Sequence, residues 1–244
     1  MAEHKNGLEG TCVHVGTSAY SIKEWKGIFY PIDLPASEML RFYAQHFQTV
    51  EINNTFYRMP KPEMFQKWNE QVPPEFKFIL KASQRITHIK RLKDVADSVS
   101  YLFETAATLG DRLGGVFFQT PPNFKKDMGR LTDFLALLPP RQRCAFEFRH
   151  ETWFSDDVYE ALRGANAALC IADADDECTP FVSTADWGYV RLRRTLYTPA
   201  DLDTWAERVR SQGWNTAYVF FKHEDEARGP MFAGDFIKLL DGRL

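Results

Sequence analysis

Eight short runs with strand character recur along this chain, at 13–17, 49–53, 77–81, 115–119, 144–149, 168–173, 188–192 and 217–222. Amphipathic helical stretches lie between most of them, at 36–47, 62–71, 94–109, 129–138, 155–163 and 199–212, with a last one near 230–240. Strands joined by helical crossovers run parallel, and a parallel sheet must be covered by helices. Eight strands in 244 residues leave about 30 residues per βα unit, the spacing of a closed eight-stranded barrel. The expected fold class is therefore α/β: a TIM-type (β/α)8 barrel forming a single domain over residues 11–244, after a flexible N-terminal tail at 1–10. One unit is irregular. Between Asp173 and Gly188 there is little periodic sequence and Pro180 interrupts it, so the sixth helix is expected to be short or absent. Helix starts are marked at Ser155-Asp156-Asp157 and at Thr198-Pro199 before Asp201, which offer cap oxygens and acidic first turns.

Several function classes are disfavoured by what the chain lacks. A formal net charge of −3 argues against bulk electrostatic coating of nucleic acid, while leaving room for a local basic pocket. The run Gly7-Leu8-Glu9-Gly10 precedes the first strand and is no dinucleotide fingerprint. No Walker loop, GxSxG elbow or HExxH pair is present, and no cofactor or resident metal is expected. Cys12, Cys144, Cys170 and Cys178 form no CxxC pair and are read as buried, reduced thiols. With a polar start and no apolar run approaching a membrane span, a soluble cytoplasmic protein is expected.

Parity along the strands sorts the polar residues, because outward positions meet helices and inward ones fill the barrel or reach its rim. Phe146-Glu147-Phe148-Arg149-His150 is the clearest case: the phenylalanines turn out, so Glu147 and Arg149 turn in. The same reasoning sends Glu51 and Asn53, Lys81, Gln119, Asp173, Arg191 with Arg193, and Lys222 inward. These positions lie at the C-terminal strand ends, where barrel enzymes carry their chemistry. Glu51, Glu147 and Asp173 would face Lys81, Arg149, Arg191 and Lys222, a slight cationic excess suited to a phosphate or carboxylate. A divalent-ion variant would use the three carboxylates as ligands, completed by His150 or His223.

The runs Gly16-Thr17-Ser18, Trp25 to Pro31, Glu51-Ile52-Asn53-Asn54-Thr55-Phe56-Tyr57, Gln119-Thr120-Pro121-Pro122, Phe146 to His150 with Trp153, and Tyr189-Val190-Arg191-Leu192 resemble the YecE-like domain-of-unknown-function family. The resemblance extends from about Val13 to Leu240. It implies a β/α barrel with a polar pocket at the C-terminal rim and brings no reaction with it. The chain departs from the family pattern at Lys222-His223, where Asn-Asn is common, at Arg193, where His is frequent, and at Tyr20, where Trp is frequent. These changes make the pocket more basic.

The function expected from these residues is an enzyme that binds a small, anionic, ring-containing substrate such as a sugar phosphate or nucleotide. Glu51, Glu147 and His150 are the acid/base candidates. Asn53, Tyr57, Lys81, Gln119, Arg149, Trp153, Asp173, Arg191 and Lys222 are the substrate-binding candidates. The alternatives are a non-catalytic module that binds nucleic acid or protein, and a divalent-metal-dependent hydrolase or isomerase using the same carboxylates.

Overall fold

The computed structural model describes residues 11–242, so the N-terminal segment 1–10 lies outside the described residues. Eight parallel strands close on themselves in chain order: β1 (Cys12–Thr17), β2 (Thr49–Ile52), β3 (Lys77–Lys81), β4 (Leu113–Gln119), β5 (Cys144–Glu147), β6 (Ala168–Asp173), β7 (Trp187–Leu192) and β8 (Thr216–Phe221). The last strand closes the barrel along the whole of the first, from Cys12 beside Thr216 to Thr17 beside Phe221. Around this sheet run α1 (Met39–Tyr43), α2 (Pro62–Asn69), α3 (Ala96–Ala106), α4 (Met128–Leu135), α5 (Asp156–Gly164), α6 (Pro199–Arg210) and α7 (Arg228–Asp241). No helix joins β6 to β7. The chain there turns back on itself, with the Ala174 amide donating to the Glu177 carbonyl and Thr179 to Ala172.

Helix starts follow their sequence signals in part. Thr198 caps α6 in a reciprocal capping box with Asp201 and is followed by Pro199 at the first turn. Ser155 stands at the N-cap of α5, but its hydroxyl donates to Asp157, and Asp157 accepts the Val158 amide instead.

Two apolar layers result. Outward residues such as Val50, Phe78, Leu80, Phe118 and Phe146 pack under the helices. Inward residues, among them Ile79, Phe117, Tyr189, Tyr218 and Phe220, fill the barrel. Phe117 and Tyr189 stack at 5.1 Å across its middle, so the rim chemistry stands on an apolar plug rather than on a water column. Glycine permits two close approaches. A Cβ on Gly16 would lie 2.0 Å from the Thr49 carbonyl oxygen, and one on Gly188 would lie 2.2 Å from the Trp214 ring.

The cysteine expectation needs correction for half of its members. Cys144 and Cys170 are buried, whereas Cys12 and Cys178 are exposed, and all four are free thiols. Cys12 begins β1 at the barrel base, and Cys178 lies in the segment left without a helix. Among the described residues, no helix is long and apolar enough to cross a membrane.

Candidate functional site

Three strands that are not neighbours bring the site's floor together. Arg191 of β7 reaches across the barrel, donating from Nη1 to Glu147 Oε2 of β5 at 2.6 Å and from Nη2 to Glu51 Oε1 of β2 at 2.9 Å. All three side chains are at most 1% exposed. Such charges are tolerated only when the remaining lone pairs are satisfied, and here most are. Tyr189 OH donates to Glu51 Oε2 at 2.6 Å, Asn53 Nδ2 donates to Glu51 Oε1 at 3.0 Å, and Gln119 Nε2 donates to Glu147 Oε1 at 2.7 Å. Beneath them the Arg191 guanidinium lies over the Phe117 ring, 4.7 Å from its centre. Arg193 adds a longer contact to Glu147, at 3.8 Å.

This arrangement decides the carboxylates' chemistry. Burial pushes the Glu147 carboxyl up, but Arg191 and Arg193 outweigh it and hold the group at about 2. Glu51 is likewise held below the usual range: burial opposes, while Arg191 and the Tyr189 hydrogen bond prevail. Neither carries a proton at neutral pH, so the expected general-acid role does not fit the geometry. They orient Arg191 and, through Gln119, Lys81.

The cations above the floor are differently placed. Lys81 Nζ donates to Gln119 Oε1 at 2.9 Å and stands 4.6 Å from the centre of the Phe56 ring. Burial, reinforced by Arg191 and opposed by Glu51 and Glu147, brings its ammonium down to about 8. Partial desolvation and then Arg191 lower Lys222 as well. Among the described residues, Lys81, Lys222 and Arg149 have no carboxylate at ion-pair distance. A cavity of about 350 Å³ is lined by Glu147, Arg149, Arg193 and Thr179 together with Glu151, Asp176 and Glu177. Phe56, packed edge-on against Tyr57 at 5.0 Å and His88 at 4.9 Å, forms an aromatic wall next to Lys81.

Four expected site residues fall elsewhere or do something else. Asp173 points outward: it is fully buried against α6 and the loop before it, accepting from Arg194 Nε at 2.9 Å, Tyr197 OH at 3.1 Å and Trp205 Nε1 at 3.0 Å. Its neighbour Ala172 is the inward residue. Trp153 is fully buried, stacked on Phe148 at 4.5 Å, with Nε1 donating to the Phe124 carbonyl. His150 uses Nδ1 to cap a short turn, accepting from the Thr152 amide at 3.3 Å. Tyr57 is 73% exposed and touches the site through its contact with Phe56. The divalent-ion variant fails with Asp173: among the described residues no three His, Cys, Asp or Glu side chains converge as a ligand set.

Tyr189, Cys170 and His88 were not singled out from the sequence. Tyr189 was legible, since it lies two positions before Arg191 on the same strand and must share its face. Cys170, whose Sγ lies 3.8 Å from Glu147 Oε2, and His88, in a π-helical turn after β3, carry no such signal.

Comparison with known proteins agrees with this architecture. The chain is 30% identical over 144 residues to the UPF0759 protein YecE of Escherichia coli K12, covering 59% of this chain and 50% of that protein. It is 32% identical over 139 residues to the UPF0759 protein YunF of Bacillus subtilis, covering 54% and 49%. The matched stretch thus spans about half the length of each curated relative. A DUF72 family crystal structure from Thermotoga maritima superposes with a TM-score of 0.78 at 27% identity, covering 94% of this chain and 99% of that one. A methyltransferase from Methanosarcina mazei shares the fold alone, with a TM-score of 0.54 at 10% identity. Residues 14–243 match the family described as "Protein of unknown function DUF72", and with nearly the whole chain so matched, the protein belongs to that family.

Proposed function

We propose that the rim pocket binds a small anionic ligand with a ring or other flat face, and that the protein is an enzyme acting on it. The observation that carries this reading is the division of charge at the rim. The floor is internally paired, whereas Lys81, Lys222 and Arg149 stand above it with no carboxylate partner among the described residues. Cations that lack a carboxylate at ion-pair distance repel one another, and an anion relieves that repulsion. Arg149 and Arg193 offer forked donors suited to phosphate or carboxylate. Phe56 and Tyr57 offer ring faces for a sugar or base.

A nucleic-acid strand is the second reading. It is favoured by the exposed Arg85, Lys90 and Lys93 in the segment after β3, close in sequence to exposed Ile89. Thermal stability measured against inorganic phosphate, sugar phosphates, nucleotides and short oligonucleotides separates the two. A ligand that binds only the folded chain raises its melting temperature by mass action. Small phosphates are expected to do so in the wild type, and the double variant Lys81→Ala/Arg149→Ala is expected to lose at least tenfold in affinity. Stabilisation by oligonucleotides alone would favour the second reading, and a blank panel with intact folding would reject both.

A further inference from the structure

Lys81 differs from the charged groups beneath it. Glu51 and Glu147 are both paired to Arg191, and Arg193, 3.8 Å from Glu147, supplies the second positive charge. Among the described residues, the direct polar and aromatic contacts of the Lys81 ammonium are a neutral amide, Gln119, and the face of Phe56. The orientation of that amide follows from chemistry. An ionised Glu147 can only accept, so Gln119 turns its NH2 to Glu147 and its oxygen to Lys81. An amide oxygen accepts one N–H from a lysine in either protonation state. The other positions on the nitrogen have no hydrogen-bond partner among the described residues.

We infer that Lys81 is a nucleophilic amine that forms an imine with a carbonyl compound bearing a carboxylate or phosphate. This rests on the anion-binding reading above. The neutral Nζ adds its electron pair to the carbonyl carbon, and the carbonyl π pair moves to oxygen, which is protonated. Expulsion of that oxygen, together with the two amine hydrogens, releases one water and leaves the carbon–nitrogen double bond. Nothing is oxidised or reduced, and no co-reactant is needed.

Two conditions make a lysine nucleophilic near neutral pH: removal from water and a neighbouring cation. Both hold here, with burial the larger influence and Arg191 the next. Lys222, Arg149 and Arg193 are left to hold the ligand's anionic group, and the aromatic wall at Phe56 lies beside the reacting nitrogen.

The test treats the full chain with pyridoxal phosphate, used as a probe because it joins an aldehyde, a ring and a phosphate. Borohydride then reduces any imine to a stable amine, and peptide mapping locates it. The expected result is one dominant adduct at Lys81, formed roughly tenfold more slowly under saturating inorganic phosphate. Its rate should rise about tenfold per pH unit and level off near pH 8. Lys81→Arg, which keeps a cation, should abolish it. Adducts centred on Lys222 or scattered over surface lysines, or a rate still rising beyond pH 10, would overturn the inference. No adduct in a wild type that inorganic phosphate still stabilises would refute the imine and leave the anion pocket standing. Absence of both would refute the two together.

Discussion

At the scale of the residue, the molecule's most consequential decision is to give two buried carboxylates one arginine. Removing one partner of such a cluster leaves uncompensated charge in a dry interior, which typically costs about 3–5 kcal/mol. Arg191→Met should therefore lose about that much stability at pH 7 in urea unfolding. Its deficit should shrink on acidification, because the orphaned carboxyls then bind protons more tightly in the folded chain than in the unfolded one. The wild type should behave oppositely. Glu147 is at about 2 in the folded chain against 4.5 ordinarily, so its contribution is complete above about pH 4.5 and is lost as pH falls toward 2. Glu147→Gln should flatten that acid limb. An unchanged slope in the variant would show that other groups control acid unfolding.

At the scale of the element, close approach rather than contact number sets the tolerance to change. The Gly16 Cα sits where any side chain would collide with the Thr49 carbonyl oxygen, a backbone atom that cannot swing aside. Gly16→Ala is expected to cost about 3 kcal/mol, the upper end for overpacking, and a calorimetric melting point within a degree of wild type would contradict this. Strand faces were legible from sequence wherever alternation had contrast. Glu147 between two phenylalanines, Arg191 between Val190 and Leu192, and Gln119 after Phe118 all turn as parity requires. The sixth strand has no such contrast. In Ala168-Leu169-Cys170-Ile171-Ala172-Asp173 both faces are apolar, since one packs inside the barrel and the other under helices. A terminal aspartate on such a strand can be read either way, and its partners Arg194, Tyr197 and Trp205 lie more than twenty residues downstream. Trp153 eluded the sequence for a related reason. Indole combines a large apolar body with one donor, so a rim platform and a core residue bonded to the Phe124 carbonyl share one local pattern.

At the scale of the whole molecule, eight strands and their order could be counted from the spacing, because closure follows from the number of βα units and their length. The ion triad could not, since it depends on which strand ends face each other across the barrel. The missing helix between β6 and β7 has a measurable consequence. Segment 174–186 has neither helix nor strand, and much of it is exposed. Its amides should exchange with deuterium well before those of β7 and β8. Protection equal to the strands would show that the segment is covered in solution. The triad itself bears on how such a barrel can be divided. Glu51 belongs to the first four strands, while Glu147 and Arg191 belong to the last four, with 140 residues between Arg191 and its more distant partner. A half-barrel cut between β4 and β5 would leave Glu51 without its cation on one side, and on the other would keep the Arg191–Glu147 pair while Arg191 Nη2 lost its carboxylate. Fragments of this chain should therefore resist folding separately yet complement one another when mixed. The salt bridge thus acts as a lock on assembly, since only the complete ring of strands satisfies it.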